Sequence, residues 1–147
     1  MLRYNKGKGP FQRDKVTSNI EWVDKWKVIM SYLTYDHAGR PDKDGKRRIF
    51  STMEVLGPGT ACTETYIVVD TFDDETHAQN LLTYLKSKLV RFLVAQVANT
   101  QHISKASFAF VPIQDFSKCW TDTELYIKYG LNNEEIAFVE AMIKPME

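Results

Sequence analysis

The sequence predicts an α/β fold: a small mixed, mainly antiparallel sheet, one long helix and a C-terminal pair of short helices. Three observations carry this. The run Thr65-Tyr66-Ile67-Val68-Val69-Asp70-Thr71-Phe72 is dense in β-branched and aromatic residues, as a strand should be. Apolar residues Ala78, Leu81, Leu82, Leu85, Leu89, Phe92, Leu93 and Val97 then recur at three- and four-residue spacing, which predicts a helix over 75–97. Two capped helical segments close the chain. At 147 residues, 44% hydrophobic and 26% charged, there is material for one domain with one core.

In chain order, residues 1–18 are rich in Gly, Lys, Arg and Asn and read as a loop or the edge of a fragment, with the single domain over 19–147. Trp26-Lys27-Val28-Ile29-Met30-Ser31-Tyr32-Leu33 is partly alternating and predicts a strand. Residues 34–48 form a charged loop punctuated by Gly39, Pro41 and Gly45, and 49–56 a further strand. Gly57-Pro58-Gly59 is a turn. Asp73 and Asp74 offer an N-cap to the long helix, on which Lys86, Lys88 and Arg91 fall outside the apolar set, toward solvent. Asn99-Thr100-Gln101-His102 is a polar loop. Phe108-Ala109-Phe110-Val111 predicts a strand that Pro112 ends, because proline cannot donate to the ladder.

The C-terminus is the most explicit stretch. Thr121 with Glu124 makes a capping box, Trp120 and Leu125 a hydrophobic staple, and Gly130 the left-handed residue that stops the helix. The pattern repeats with Asn132 and Glu135, stapled by Leu131 and Ile136, until Pro145. Each cap contributes on the order of 1 kcal/mol.

No apolar run approaches the roughly 18 residues of a membrane span, and no signal-peptide core follows Met1; a cytoplasmic location is expected, with no membrane partner. Cys62 and Cys119 have no close-spaced companion and read as reduced, buried thiols. Net charge is zero but unevenly placed: residues 1–50 hold 12 Lys/Arg against 6 Asp/Glu, and residues 51–147 hold 7 against 13. Such asymmetry points to a polyanion-facing surface or to a plain solvated basic segment.

Catalytic constellations are missing. Pro41-Asp42 with Asp44-Gly45-Lys46 echoes a nuclease signature, but its acids sit within six residues of a turn and could hardly span one metal. No glycine-rich loop for a methyl donor, no Asn-Pro-Pro-Tyr segment and no phosphate-cradling loop occurs. His37, His77 and His102 lie on separate elements without metal-ligand spacing. Catalytic and metal-binding residues are therefore assigned to none.

Binding chemistry is better represented. The loop holding Tyr35, His37, Arg40, Lys43, Lys46, Arg47 and Arg48 offers arginines that pair with guanine edges and lysines that meet phosphates. The loop holding Asn99, Gln101, His102 and Lys105 offers amides that pair with adenine edges. A solvated turn is an equal reading for the first loop and the stronger one for the second, since Asn, Thr and Gln are common after helices.

Several ordered strings resemble the C-terminal region of restriction–modification enzymes with an adenine-N6 DNA methyltransferase domain. They are Lys25-Trp26-Lys27-Val28-Ile29-Met30-Ser31, His37-Ala38-Gly39-Arg40-Pro41-Asp42, Cys62-Thr63-Glu64-Thr65-Tyr66, Tyr84-Leu85-Lys86-Ser87-Lys88-Leu89-Val90-Arg91-Phe92-Leu93, Phe110-Val111-Pro112-Ile113-Gln114-Asp115-Phe116, and the tail from Trp120 through Met146. This region is similar to the target-recognition domains of TaqI-like methyltransferases and type I specificity subunits. The resemblance implies a non-catalytic module for sequence-specific recognition of double-stranded DNA, partnered by an upstream methyltransferase domain of the same chain. It implies no cofactor in this region, with S-adenosylmethionine expected in the upstream domain. The recognition surface would be loops 35–48 and 99–105. The alternative is a docking domain that holds methyltransferase and nuclease parts, or a second protomer, together through the helical pair.

Overall fold

In a computed structural model of the chain, residues 1–36, 41, 43–97 and 102–146 are described. They form two three-stranded sheets and four α-helices, so the α/β class holds. The central sheet has β3 (Trp26–Ser31) in the middle, with β4 (Met53–Leu56) and β6 (Tyr66–Phe72) antiparallel on either side. The smaller sheet pairs β1 (Leu2–Tyr4) with β2 (Gly7–Gly9) antiparallel and with β5 (Ala61–Cys62) parallel.

β3 is covered on both faces, which explains its buried run from Lys27 to Met30 where a one-sided strand would alternate. Val28 and Met30 join the main core under the helices, while Ile29 packs with Leu56, Tyr66 and Val68 on the opposite face. A bulge sits in β6, where Val28 faces Asp70 and Ile29 faces Val68, leaving Val69 as the extra residue. The bulge resets the inward face, so Ile67, Val69 and Phe72 all reach the main core despite their uneven spacing.

The expected long helix is two. α1 spans Glu75–Lys86 and α2 Lys88–Val97, with Ser87 between them at φ −60°, ψ 151°. Ser87 Oγ accepts from Val90 N–H, and Asp122 Oδ1 accepts from Lys88 N–H at 2.8 Å, so α2 begins on side-chain caps of its own. Arg91, expected on the solvent side, is fully buried instead. Its Nε donates to the Lys86 and Ser87 carbonyls at the end of α1. The apolar spacing carried across the break because the two helices share one core.

Three other expectations are corrected. Residues 1–18 contain β1, β2 and a 3-10 turn at Arg13–Lys15 as well as loop. The segment around Phe108 is a 3-10 turn, Lys105–Phe108, closed by reciprocal Ser104 and Ser107 bonds, since side chain-to-backbone bonds outcompeted the ladder there. Of the strand expected over 49–56, only Met53–Leu56 pairs along β3, because Ile49 has φ +71° and turns the chain.

α3 (Asp122–Lys128) and α4 (Asn133–Met142) form as expected. Thr121 caps α3 by accepting from Glu124 N–H, Gly130 follows at φ +66°, and the reciprocal Asn132–Glu135 box opens α4. No helix among the described residues is long and apolar enough to cross a membrane.

Candidate nucleic-acid interface

The excursion from β3 to β4 is built around one carboxylate. Beyond β3 the chain runs back against itself, with Thr34 bridged to Phe50 and Tyr35 N–H donating to Ile49 O. Asp36, whose side chain is fully buried, accepts from the backbone N–H groups of Arg48 at 3.1 Å and Ile49 at 2.8 Å. The Phe50 N–H donates back to Arg48 O, closing a three-residue turn around Ile49. A positive φ in a β-branched residue costs on the order of 1–3 kcal/mol, and the Asp36 bonds hold it in place.

Arg47 and Arg48, the described arginines of this loop, are engaged by the protein itself. Arg47 Nε lies 3.5 Å from Asp36 with 13% of its side chain exposed. Its backbone is stitched to the end of α4: Arg47 N–H donates to Met142 O, and Lys144 N–H donates to Arg47 O. Arg48 donates through Nε to Phe50 O and lays its guanidinium over the Tyr35 ring at 5.0 Å. Beneath them Arg91 Nη1 donates to Arg48 O, while burial pushes the Arg91 guanidinium down to about 10. Arg47 Nε and Arg91 Nη2 have no hydrogen-bond partner among the described residues, so this cluster carries two imperfectly paired buried cations.

The lysines are placed differently. Lys43 is exposed, and Lys46 is half-buried with its N–H bonded to Asp44 Oδ1. His37 and Arg40 lie outside the described residues, as do Asn99 and Gln101 of the second loop.

That second loop comes directly against the first. Leu33 and His102 form an antiparallel bridge, Ile103 N–H donates to Tyr32 O, and the Tyr32 and His102 rings stack at 5.2 Å. Lys105 is exposed on the 3-10 turn that follows, and Phe108 on the same turn packs against Phe50 at 6.1 Å. Tyr35, Arg48, His102 and Lys105 therefore belong to one end of the central sheet, beside the exposed Leu33.

A third contributor went unforeseen. Tyr32 N–H donates to Thr65 O, and Thr63 N–H donates to Arg3 O, which brings the β1–β2 hairpin to the same end. Lys8 stands opposite Arg3 in that hairpin, and both Lys8 and Lys6 are exposed. Arg3 itself is held by Glu54 at 2.5 Å and over the Tyr66 ring. The basic count of residues 1–50 was the available signal, but the pairing that uses it joins residues about 60 apart. Among the described residues, exposed acids at this end include Asp44 and Glu64.

No family model, curated protein or solved structure matches this chain.

Elsewhere, Cys62 is half-buried as a core thiol would be, but Cys119 is exposed, on the polar loop leading to α3. Among the described residues no group of three or more His, Cys, Asp or Glu is placed to hold a metal ion.

Proposed function

We propose that this chain is a duplex-DNA recognition module of a restriction–modification enzyme, reading DNA with the end of the central sheet where the excursion of residues 32–50 and the loop of residues 102–105 meet. The resemblance of the ordered strings supplies the class. The observation that carries the placement is the Leu33–His102 bridge with its Tyr32–His102 stack, which makes one surface of two basic, aromatic-bearing loops. Lys43, Lys46 and Lys105, together with Lys6 and Lys8 of the hairpin, meet phosphates. Tyr35 and His102 are exposed on the two loops and would meet base edges or sugars. Arg47 and Arg48 hold the loop's shape first. Methyl transfer from S-adenosylmethionine belongs, in this reading, to an upstream domain, and no step of it is assigned to these residues.

The test is a salt titration of binding to a pooled random-sequence duplex, followed by anisotropy. Each phosphate contact removed lowers the log–log salt slope by about 0.9. The triple variant Lys43→Ala, Lys46→Ala, Lys105→Ala is expected to lose most of its affinity at low salt and to show the shallower slope. An unchanged slope, or no binding by the parent protein at low salt, overturns the reading.

A docking role is the second reading. It is favoured by a groove of about 400 Å³ between α2 and α4, lined by Leu89, Phe92, Leu131 and Phe138, the last 58% exposed. Co-elution with an upstream methyltransferase domain, abolished by Phe138→Asp while DNA binding persists, would favour docking over reading.

A further inference from the structure

A second site lies on the face of the central sheet away from the helices. There the segment after β2 arches over β3 and β6 and leaves a cavity of about 640 Å³, within the range of small-molecule sites. Its walls include Phe11, Trp22, Cys62, Tyr66 and Val68, and Lys27 is the buried charge among its polar lining residues. Lys27 is only 2% exposed. Its ammonium lies against Lys25 O at 2.9 Å, Thr60 Oγ1 at 3.0 Å, Gly57 O at 3.1 Å and Val23 O at 3.5 Å. All four acceptors are neutral.

Among the described residues, no carboxylate lies within ion-pairing distance of Lys27. Asp24, which does act on it at longer range, is exposed and held bidentately by Arg13. Four neutral oxygens thus solvate the cation without offsetting its charge. A buried charge lacking a counter-charge is costly, and an anion brought alongside lowers that cost. Burial pushes the Lys27 ammonium down to about 8, so it still carries its proton at neutral pH. The other charged residues of the lining are Lys15 and Glu64, which cancel.

We propose that this cavity binds a small amphipathic carboxylate, with its apolar body against Trp22 and Phe11 and its acid group beside Lys27. Thr60 mediates the approach. Its hydroxyl both accepts from Lys27 and donates to Gly57 O, and it can turn its proton toward an incoming carboxylate. The site is independent of the DNA-reading surface: none of the lysines assigned to phosphate contact lines it.

Two cysteines make a test possible in the unmodified protein. Cys62 lines the cavity, whereas Cys119 is exposed outside it. Alkylation of each thiol by iodoacetamide is followed by mass spectrometry near neutral pH, with phenylbutyrate or its neutral amide added. At about five times the dissociation constant, phenylbutyrate slows Cys62 about sixfold, while phenylbutyramide changes it by less than about twofold. Cys119 keeps its rate with both. In Lys27→Met the acid loses its advantage over the amide. Equal protection by acid and amide, or none from either at millimolar concentration, overturns the proposal. Should Lys27→Met fail to fold, the acid–amide comparison in the parent protein decides alone.

Discussion

Asp36 organises the basic loop: it serves two backbone N–H groups and the Arg47 guanidinium with no side-chain exposure. Removing it strands all three. Asp36→Ala is expected to destabilise the protein by about 3 kcal/mol, read from urea unfolding. Asp36→Asn keeps one acceptor oxygen and should cost less. The role was illegible beforehand because Asp36 lies 12 and 13 residues from the groups it binds. Ile49 was unreadable for the same reason. Nothing local asks a β-branched residue to adopt φ +71°, and the Asp36 bonds do. The residues proposed for DNA contact divide at this scale too: among those described, Lys43 and Lys105 are left exposed while Arg47 and Arg48 are drawn into the scaffold.

At the scale of elements, the join between α1 and α2 shows how a helix is divided without glycine or proline. Ser87 and Asp122 supply acceptors to the first N–H groups of α2, and Arg91 takes up the last carbonyls of α1. Asp122→Ala should lower stability by about 1 kcal/mol as a lost cap. Arg91→Ala should cost more, about 3 kcal/mol, since it also leaves the carbonyls of Lys86 and Arg48 without their donor. Both are measured by chemical denaturation, with helix content followed by circular dichroism. The contrast with α3 and α4 is instructive. Thr121 and Asn132 bond three residues ahead, so their caps stood in the local sequence. Asp122 caps a helix that begins 34 residues earlier, and no window on the sequence contains both.

Across the whole molecule, Glu140 ties three helices: its carboxylate takes the Lys88 ammonium from α2 and the Tyr126 hydroxyl from α3. Burial pushes Glu140 up, but the bonds from Lys88 and Tyr126 outweigh it and hold its acid below the usual glutamate range. A depressed carboxylate contributes stability that is fully present above its unfolded value, about 4.3, and is lost as pH falls through the lower folded value. The melting temperature should therefore drop on acidification below that point, and Glu140→Gln should flatten the drop. The charge asymmetry acts at the same scale. Lys6 and Lys8 join Lys43 and Lys46 at one end of the central sheet only because β1 pairs with β5, and Lys105 because residue 33 pairs with residue 102.

The sequence by itself determined what short-range chemistry controls: the α/β class, the strand over 66–72, the start of α1 at Asp74, and the capped pair α3 and α4. Periodicity and caps act within one or two turns, so a linear reading captures them. The tertiary structure alone decided the division of the long helix, the turn at Ile49, the small N-terminal sheet and the joining of the two loops. It also decided which cations are buried, Lys27 and Arg91 among them. Each of these depends on a hydrogen bond or pairing between distant residues, whose free energy exists only once the chain has closed the intervening loop.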